Sequence, residues 1–135
     1  MATLKLEIVT PEAKVYSEDV DMVTLPGVEG LLGIYPLHVP LMTQVAAGEV
    51  IAKKAGQELF LAVGEGFAEV SQERVAILTD MAIKADDIDE ARAEEAKKRA
   101  EARLQEKLSD EEAATVQSAL LHSLTQLSVK RRRRV

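Results

Sequence analysis

Every glycine, proline and aromatic residue of this 135-residue chain lies before residue 68. The seven glycines fall between Gly27 and Gly66, and the four prolines between Pro11 and Pro40. The four aromatics are Tyr16, Tyr35, Phe60 and Phe67. From Ala85 onward none of these residue types occurs, and alanine, leucine, glutamate, lysine and arginine take over. Glycine and proline shape turns and break helices, whereas the later residues are the best helix formers. The chain therefore cannot be one uniform architecture. Its composition predicts a turn-rich β domain over residues 1–84 and a helical domain over 85–135.

The first domain carries the period of two that marks half-buried strands. Leu4, Leu6 and Ile8 alternate with Lys5 and Glu7. Val20, Met22 and Thr24 alternate with Asp19 and Asp21. Leu59, Leu61 and Val63 repeat the pattern, as do Val75, Ile77 and Thr79. Lys53–Gln57 and Ser71–Arg74 read as hairpin turns, the second between Phe67–Val70 and Val75–Ile83. Short strands with turns between them predict an antiparallel β-sandwich or barrel. Val9, Val23, Leu25, Ile51 and Phe60 fall out of phase. That predicts strands covered on both faces, by a second sheet or by a partner.

The second domain reads as two helices. Asp87 with Glu90 three residues on is a start signal. Ile88, Ala93, Ala96, Ala100, Leu104 and Leu108 form a narrow stripe, half of it alanine. Ser109 with Glu112 is a capping box that starts the second helix. Its stripe is Ala113, Val116, Leu120, Leu124 and Leu127, widened by Leu121. Two helices of about 20 residues, each roughly 30 Å long, with almost no linker predict an antiparallel hairpin. Alanine facing leucine buries little area, so the hairpin must lean on another surface and is built to detach.

Charge is distributed unevenly. The net charge is −6, yet Lys130, Arg131, Arg132, Arg133 and Arg134 make the extreme C-terminus strongly basic. An acidic body would repel nucleic-acid phosphate, so the basic tip reads either as a solvated, frayed end or as a contact with an acidic protein surface. With no cysteine, disulfide scaffolds, thiolate metal sites and cysteine nucleophiles are excluded. No apolar run approaches the ~20 residues of a membrane span. His38, between Pro36 and Pro40, reads as a turn residue bonding to backbone. His122 stands alone on a helix, and two isolated histidines make no metal centre. No nucleophile elbow, phosphate loop or dinucleotide fingerprint is present, so no catalytic residue is expected. One polar constellation remains: Asp89, Arg92, Arg99 and Arg103 on the first helix. Its guanidinium groups could hold a polyphosphate, or could pair along the helix with Glu95.

The run Gly30-Leu31-Leu32-Gly33-Ile34-Tyr35-Pro36-Leu37-His38-Val39-Pro40-Leu41 resembles the signature of the epsilon subunit of the F-type, rotary, proton-translocating ATP synthase. Val9-Thr10-Pro11 with Val15-Tyr16, the Gly64–Val70 stretch and Ile88–Ala93 match in register. The resemblance covers essentially the whole chain, and implies a sandwich followed by a helical hairpin. It implies a non-catalytic central-stalk subunit that couples rotation to ATP synthesis. The sandwich would bind the gamma subunit and the c-ring, with Val28, Leu31, Leu32 and His38 at the rotor contact. The hairpin would restrain ATP hydrolysis when it extends toward the alpha and beta subunits. Lys130, Arg131, Arg132, Arg133 and Arg134 would then touch beta.

The family's ATP motif is matched at Ile88, Asp89, Arg92 and Ala93, with Arg99 beyond it. No cofactor is required, and ATP is implied as a weakly bound regulatory ligand. Strong nucleotide binders of the family carry arginines where this chain has His122 and Gln126, and an acidic residue in place of Ile83. The family also favours glycine or asparagine at the position of Leu37. One copy per complex, placed peripherally at the cytoplasmic face of a bacterial membrane, is the implied setting. The alternative from another class is a free-standing β-sandwich adaptor with a helical dimerisation arm.

Overall fold

Alternating residues become strands where one face can be buried, and the computed structural model, which describes residues 2–133, has ten of them. They are β1 (Leu4–Val9), β2 (Lys14–Val20), β3 (Met22–Gly27), β4 (Gly30–Ile34) and β5 (Leu41–Val45), then β6 (Gly48–Lys54), β7 (Gln57–Val63), β8 (Gly66–Val70), β9 (Arg74–Thr79) and β10 (Ala82–Lys84). A 3-10 turn at Ala85–Asp87 leads into α1 (Glu90–Leu104) and α2 (Asp110–Arg133).

The strand order is β10-β7-β6-β3-β5-β8-β9-β1-β2, with β4 paired to β3. Strands β3 and β5 share a single pair, Gly27 with Val45. At that corner the sheet divides into two facing layers, so the expected sandwich forms. All pairings are antiparallel except β1 with β9. Leu4, Leu6, Ile8, Val20, Val23, Leu25, Ile34, Val50, Leu61, Val75 and Ile77 fill the space between the layers. The β6–β7 turn places Ala55 at φ 53 and Gly56 at φ 79, which matches the right-handed twist of the flanking strands.

Two expectations fail for one reason: the chain changes direction within a stretch that reads as continuous. Val20 is buried, but the bend at Asp21 resets the phase, so Val23 and Leu25 point inward and Met22 and Thr24 do not. That bend is held by the Asp21 N–H donating to the Lys53 carbonyl and by its carboxylate accepting from the Ala55 N–H. The predicted strand Val75–Ile83 breaks at Asp80-Met81. Strand β9 pairs with β8 and β1 in one layer, and β10 pairs with β7 in the other. The crossing delivers the chain to the outer face of the β10-β7-β6 layer, where the helices dock.

The helical hairpin is present, with corrected ends. Asp89, not Asp87, caps α1 by accepting from the Arg92 N–H at 3.1 Å. Asp87 lies in the preceding 3-10 turn. The helices have 15 and 24 residues rather than equal lengths, and residues 105–109 connect them. The Ser109–Glu112 box closes in both directions, at 3.3 and 3.2 Å. Helix α2 lies between α1 and the sandwich, so two of its sides are covered. Ser123, Thr125, Leu127 and Val129 are therefore buried, while Leu121 and Leu124, expected in the stripe, stay exposed. The Ser123 and Thr125 hydroxyls donate to the carbonyls of Ala119 and Leu121, which satisfies them in place.

Candidate functional site

Strand pairing sets which side chains share the docking face. Glu49 opposes Ala62, Ile51 opposes Phe60, and Ile83 sits beside Ala62. All project from the outer face of the β10-β7-β6 layer, and α2 covers them. Ile51 and Phe60 fall out of phase in the sequence because this face is covered by the chain's own hairpin. The apolar contact is small: Ala62, Ala85, Ile88 and Val129, with Phe60 and Ile83 partly buried against them. Ile88, expected at a nucleotide site, is buried in this contact.

Four consecutive basic residues ring that small contact. The Lys130 ammonium donates to the Ala85 carbonyl at 3.1 Å. Arg131 donates to Glu94 at 2.9 Å and to Glu90 at 3.4 Å, tying α2 to α1. Arg133 forks onto the Glu49 carboxylate, at 2.8 Å from Nε and 2.6 Å from Nη2. Arg132 reaches the same carboxylate at 3.4 Å. The Arg133 guanidinium also stacks 3.9 Å from the centre of the Phe60 ring. The bond from Arg131 holds the Glu94 carboxyl below its ordinary 4.5. The bond to Glu49 raises the Arg133 guanidinium above its ordinary value. Arg134 lies outside the described residues. At the other end of the interface His122 Nε2 approaches Asp80 Oδ1 to 3.1 Å, although the angles do not align a hydrogen bond.

A second region lies in the groove between α1 and α2. Asp89, Arg92, Ala93 and Arg99 line a cavity of about 320 Å³, with Ile83 and Gln126 on its other side. Among the described residues no carboxylate pairs with Arg92 or Arg99, so the expected alternative of pairing with Glu95 does not occur. Asp89 is already engaged by the helix N-terminus. Arg103 is not part of the cavity; it pairs with Glu106 at 3.1 Å and Glu112 at 3.5 Å near the far end of the hairpin.

The rotor-contact candidates divide. Val28 sits at the β3–β4 tip and Leu31 is 75% exposed. Leu32 opposes the inward Leu25 and packs against the sandwich core, so it does not present an outward face. His38 bonds locally, its Nδ1 lying 2.6 Å from the Val39 carbonyl oxygen. Its loop is anchored by Leu37 donating to the Gln72 carbonyl, whereas Val28 donates to Gln44. The two groups thus sit at opposite ends of β5. Leu31 lines a further cavity together with Leu124, Ser128 and Arg132 of α2, which places the exposed loop beside the hairpin.

Sequence reasoning missed a broader patch. Met42, Phe67 and Leu78 are each more than half exposed. Phe67 opposes Gln44 and Leu78, and Leu78 opposes Val9, so Val9, Leu78 and Phe67 form an apolar row across β1, β9 and β8 on the outer face, with Met42 nearby on β5 opposite Glu69. Val9 among the out-of-phase residues was the available signal.

The fold is thus a sandwich with an exposed apolar face, joined to a docked two-helix hairpin. The chain belongs to the ATP synthase delta/epsilon chain family: its β-sandwich model matches residues 3–85 and its long α-helix model residues 86–131. As a member it is a non-catalytic stalk subunit of the synthase rather than an enzyme. The ATP synthase epsilon chain of Dehalococcoides mccartyi is 48% identical, over 99% of this chain and 96% of that protein. The epsilon chain of Herpetosiphon aurantiacus is 45% identical, over 97% and 96%. That of Laribacter hongkongensis is 41% identical, over 94% and 92%. A chain of the Euglena gracilis mitochondrial ATP synthase shares the fold with a TM-score of 0.70 and 24% identity, over 95% of this chain and 80% of that one. Such a subunit is a peripheral part of a membrane complex, and among the described residues no helix is long and apolar enough to cross a membrane.

Proposed function

We propose that the chain couples rotation to ATP synthesis in the central stalk and that its hairpin is a movable brake on ATP hydrolysis. The observation that carries this reading is the mismatch between two interfaces. The sandwich has a large core of its own, from Leu4 to Ile77, while the hairpin touches it through a few apolar residues and side-chain ion pairs. One body is built to stay folded and the other to move.

In this reading the apolar patch of Met42, Phe67 and Leu78 is the seat for gamma, a fit for an obligate partner surface. Val28 and Leu31 meet the c-ring. Because Leu31 and α2 line one cavity, the rotor contact and the brake are neighbours. Undocking frees Lys130, Arg131, Arg132 and Arg133 for an acidic surface on beta. The assembled subunit works at the cytoplasmic face of a bacterial membrane. ATP binds weakly in the cavity of Arg92 and Arg99, whose unpaired guanidinium groups suit phosphate. It favours the docked state because the cavity spans both helices and Ile83.

The deciding experiment compares ATP hydrolysis by the assembled synthase with and without residues 85–135. Faster hydrolysis by the truncated complex is expected, and equal rates would remove the brake. Calorimetry of the isolated protein with millimolar ATP tests the ligand, with weak heat that Arg92→Ala abolishes.

A further inference from the structure

We infer that Glu49 is the catch of a clasp that holds the hairpin docked, with the basic last turn of α2 as its tongue. This deepens the brake reading and rests on it.

The clasp follows from where the charges go. Lys130, Arg131, Arg132 and Arg133 are consecutive, so they point around the whole circumference of the helix. Each nevertheless finds an acceptor within the chain, on three different elements: the Ala85 turn, α1, and β6. Glu49 receives two arginines and is only 8% exposed. A carboxylate shielded that far on a sheet face is tolerable when guanidinium groups fork onto it. The helix C-terminus favours cations there as well. Phe60 adds a ring face beneath Arg133, so the cation is held by stacking and by charge.

Beneath these polar ties the apolar contact offers Ala62, Ala85, Ile88 and Val129. Among the described residues, Ile88 and Val129 are the only large side chains fully buried there, so the ties to the buried Glu49 carboxylate add to docking what the apolar contact does not supply. Read from the sequence alone, the basic tip meets acidic surface in both states, the acidic body when docked and beta when extended, with the extended state favoured. In the docked state the same charges are already spent on Glu49, Glu90 and Glu94. An acidic surface elsewhere must compete with these carboxylates, and only the difference between the two sets shifts the hairpin. Glu49 is thus an internal competitor for the tip.

Replacing the tip arginines would remove both the clasp and the grip, so Glu49→Gln is the informative change. It removes the catch and leaves the tip intact. Hydrogen exchange of the full-length isolated protein reads the clasp. Amides of α2 after Ser123 are expected to exchange about tenfold faster in Glu49→Gln, the scale of one charge-assisted hydrogen bond, while β1 and β9 keep their protection. Unchanged exchange in α2 overturns the clasp. Should Glu49→Gln loosen the sandwich as well, Arg133→Gln is the deciding variant. Faster exchange confined to the hairpin supports the clasp, and no change overturns it. In the assembled synthase Glu49→Gln should lower ATP hydrolysis, because a freed hairpin extends more often. Faster exchange with unchanged hydrolysis would keep the clasp and overturn the brake.

Discussion

Leu37 adopts φ 69, a left-handed conformation that costs a residue with a Cβ about 1–2 kcal/mol. The glycine or asparagine that the resemblance implies at this position would carry less of that cost. Leu37 is exposed, so little packing is lost on replacing it. Leu37→Asn is expected to raise stability by about 1 kcal/mol in chemical denaturation. Two glycines show the opposite constraint. A Cβ at Gly66 would strike the Leu78 carbonyl oxygen and lie 2.8 Å from the Thr79 Cα, both backbone of the paired strand. A Cβ at Gly64 would strike the Asp80 carboxylate, a side-chain end that can rotate. Gly66→Ala should therefore cost at least about 2 kcal/mol, and Gly64→Ala less than about 1 kcal/mol. Equal losses in denaturation would contradict this ranking.

At the scale of elements, the hairpin depends on its ends more than on its seam. Asp89 satisfies an orphan N–H of α1, whose buried residues are only Ala93 and Ala100. Asp89→Ala should cost about 1 kcal/mol of helix stability. Circular dichroism should show the hairpin signal melting earlier while the β signal holds. Acid acts on the same element. Bonding to Arg131 depresses Glu94, and bonding to Ser109 depresses Glu112. A carboxylate whose folded value is depressed contributes stability above its unfolded value and loses it as pH falls through the folded one. Helicity should therefore decline as pH drops below the ordinary 4.5, and a profile flat to lower pH would deny these bonds a role. The sandwich shares the trend through Glu7, which Lys14 and Arg74 hold at 2.9 and 2.8 Å and whose carboxyl is depressed first by Lys14.

At the scale of the molecule, the sandwich core draws on no residue of either helix. Residues 1–84 alone should thus give one cooperative β-type melt. Their midpoint should fall only modestly, because losing the hairpin uncovers Phe60, Ala62 and Ile83 but opens no core. A non-cooperative melt would show that the hairpin is part of the sandwich fold.

The sequence by itself determined the two-part architecture, most strand faces and the capping box, because these are local. Period-two alternation, turn residues and cap spacing act within a few residues of each other. The candidate site was half legible. Arg92 and Arg99 are two helical turns apart, so their shared face is set by the helix alone. What only the tertiary structure decided was pairing across long separations. Asp21 resets the phase of β3 through the distant Lys53 and Ala55, and Asp80-Met81 moves the chain between layers. No local signal distinguishes Glu49 from the other surface glutamates. Its role exists because β6 brings it beneath Arg133, 84 residues away along the chain. Charge attraction is long-ranged and unspecific in sequence, so the partner of a cation is fixed only when the fold sets the distances.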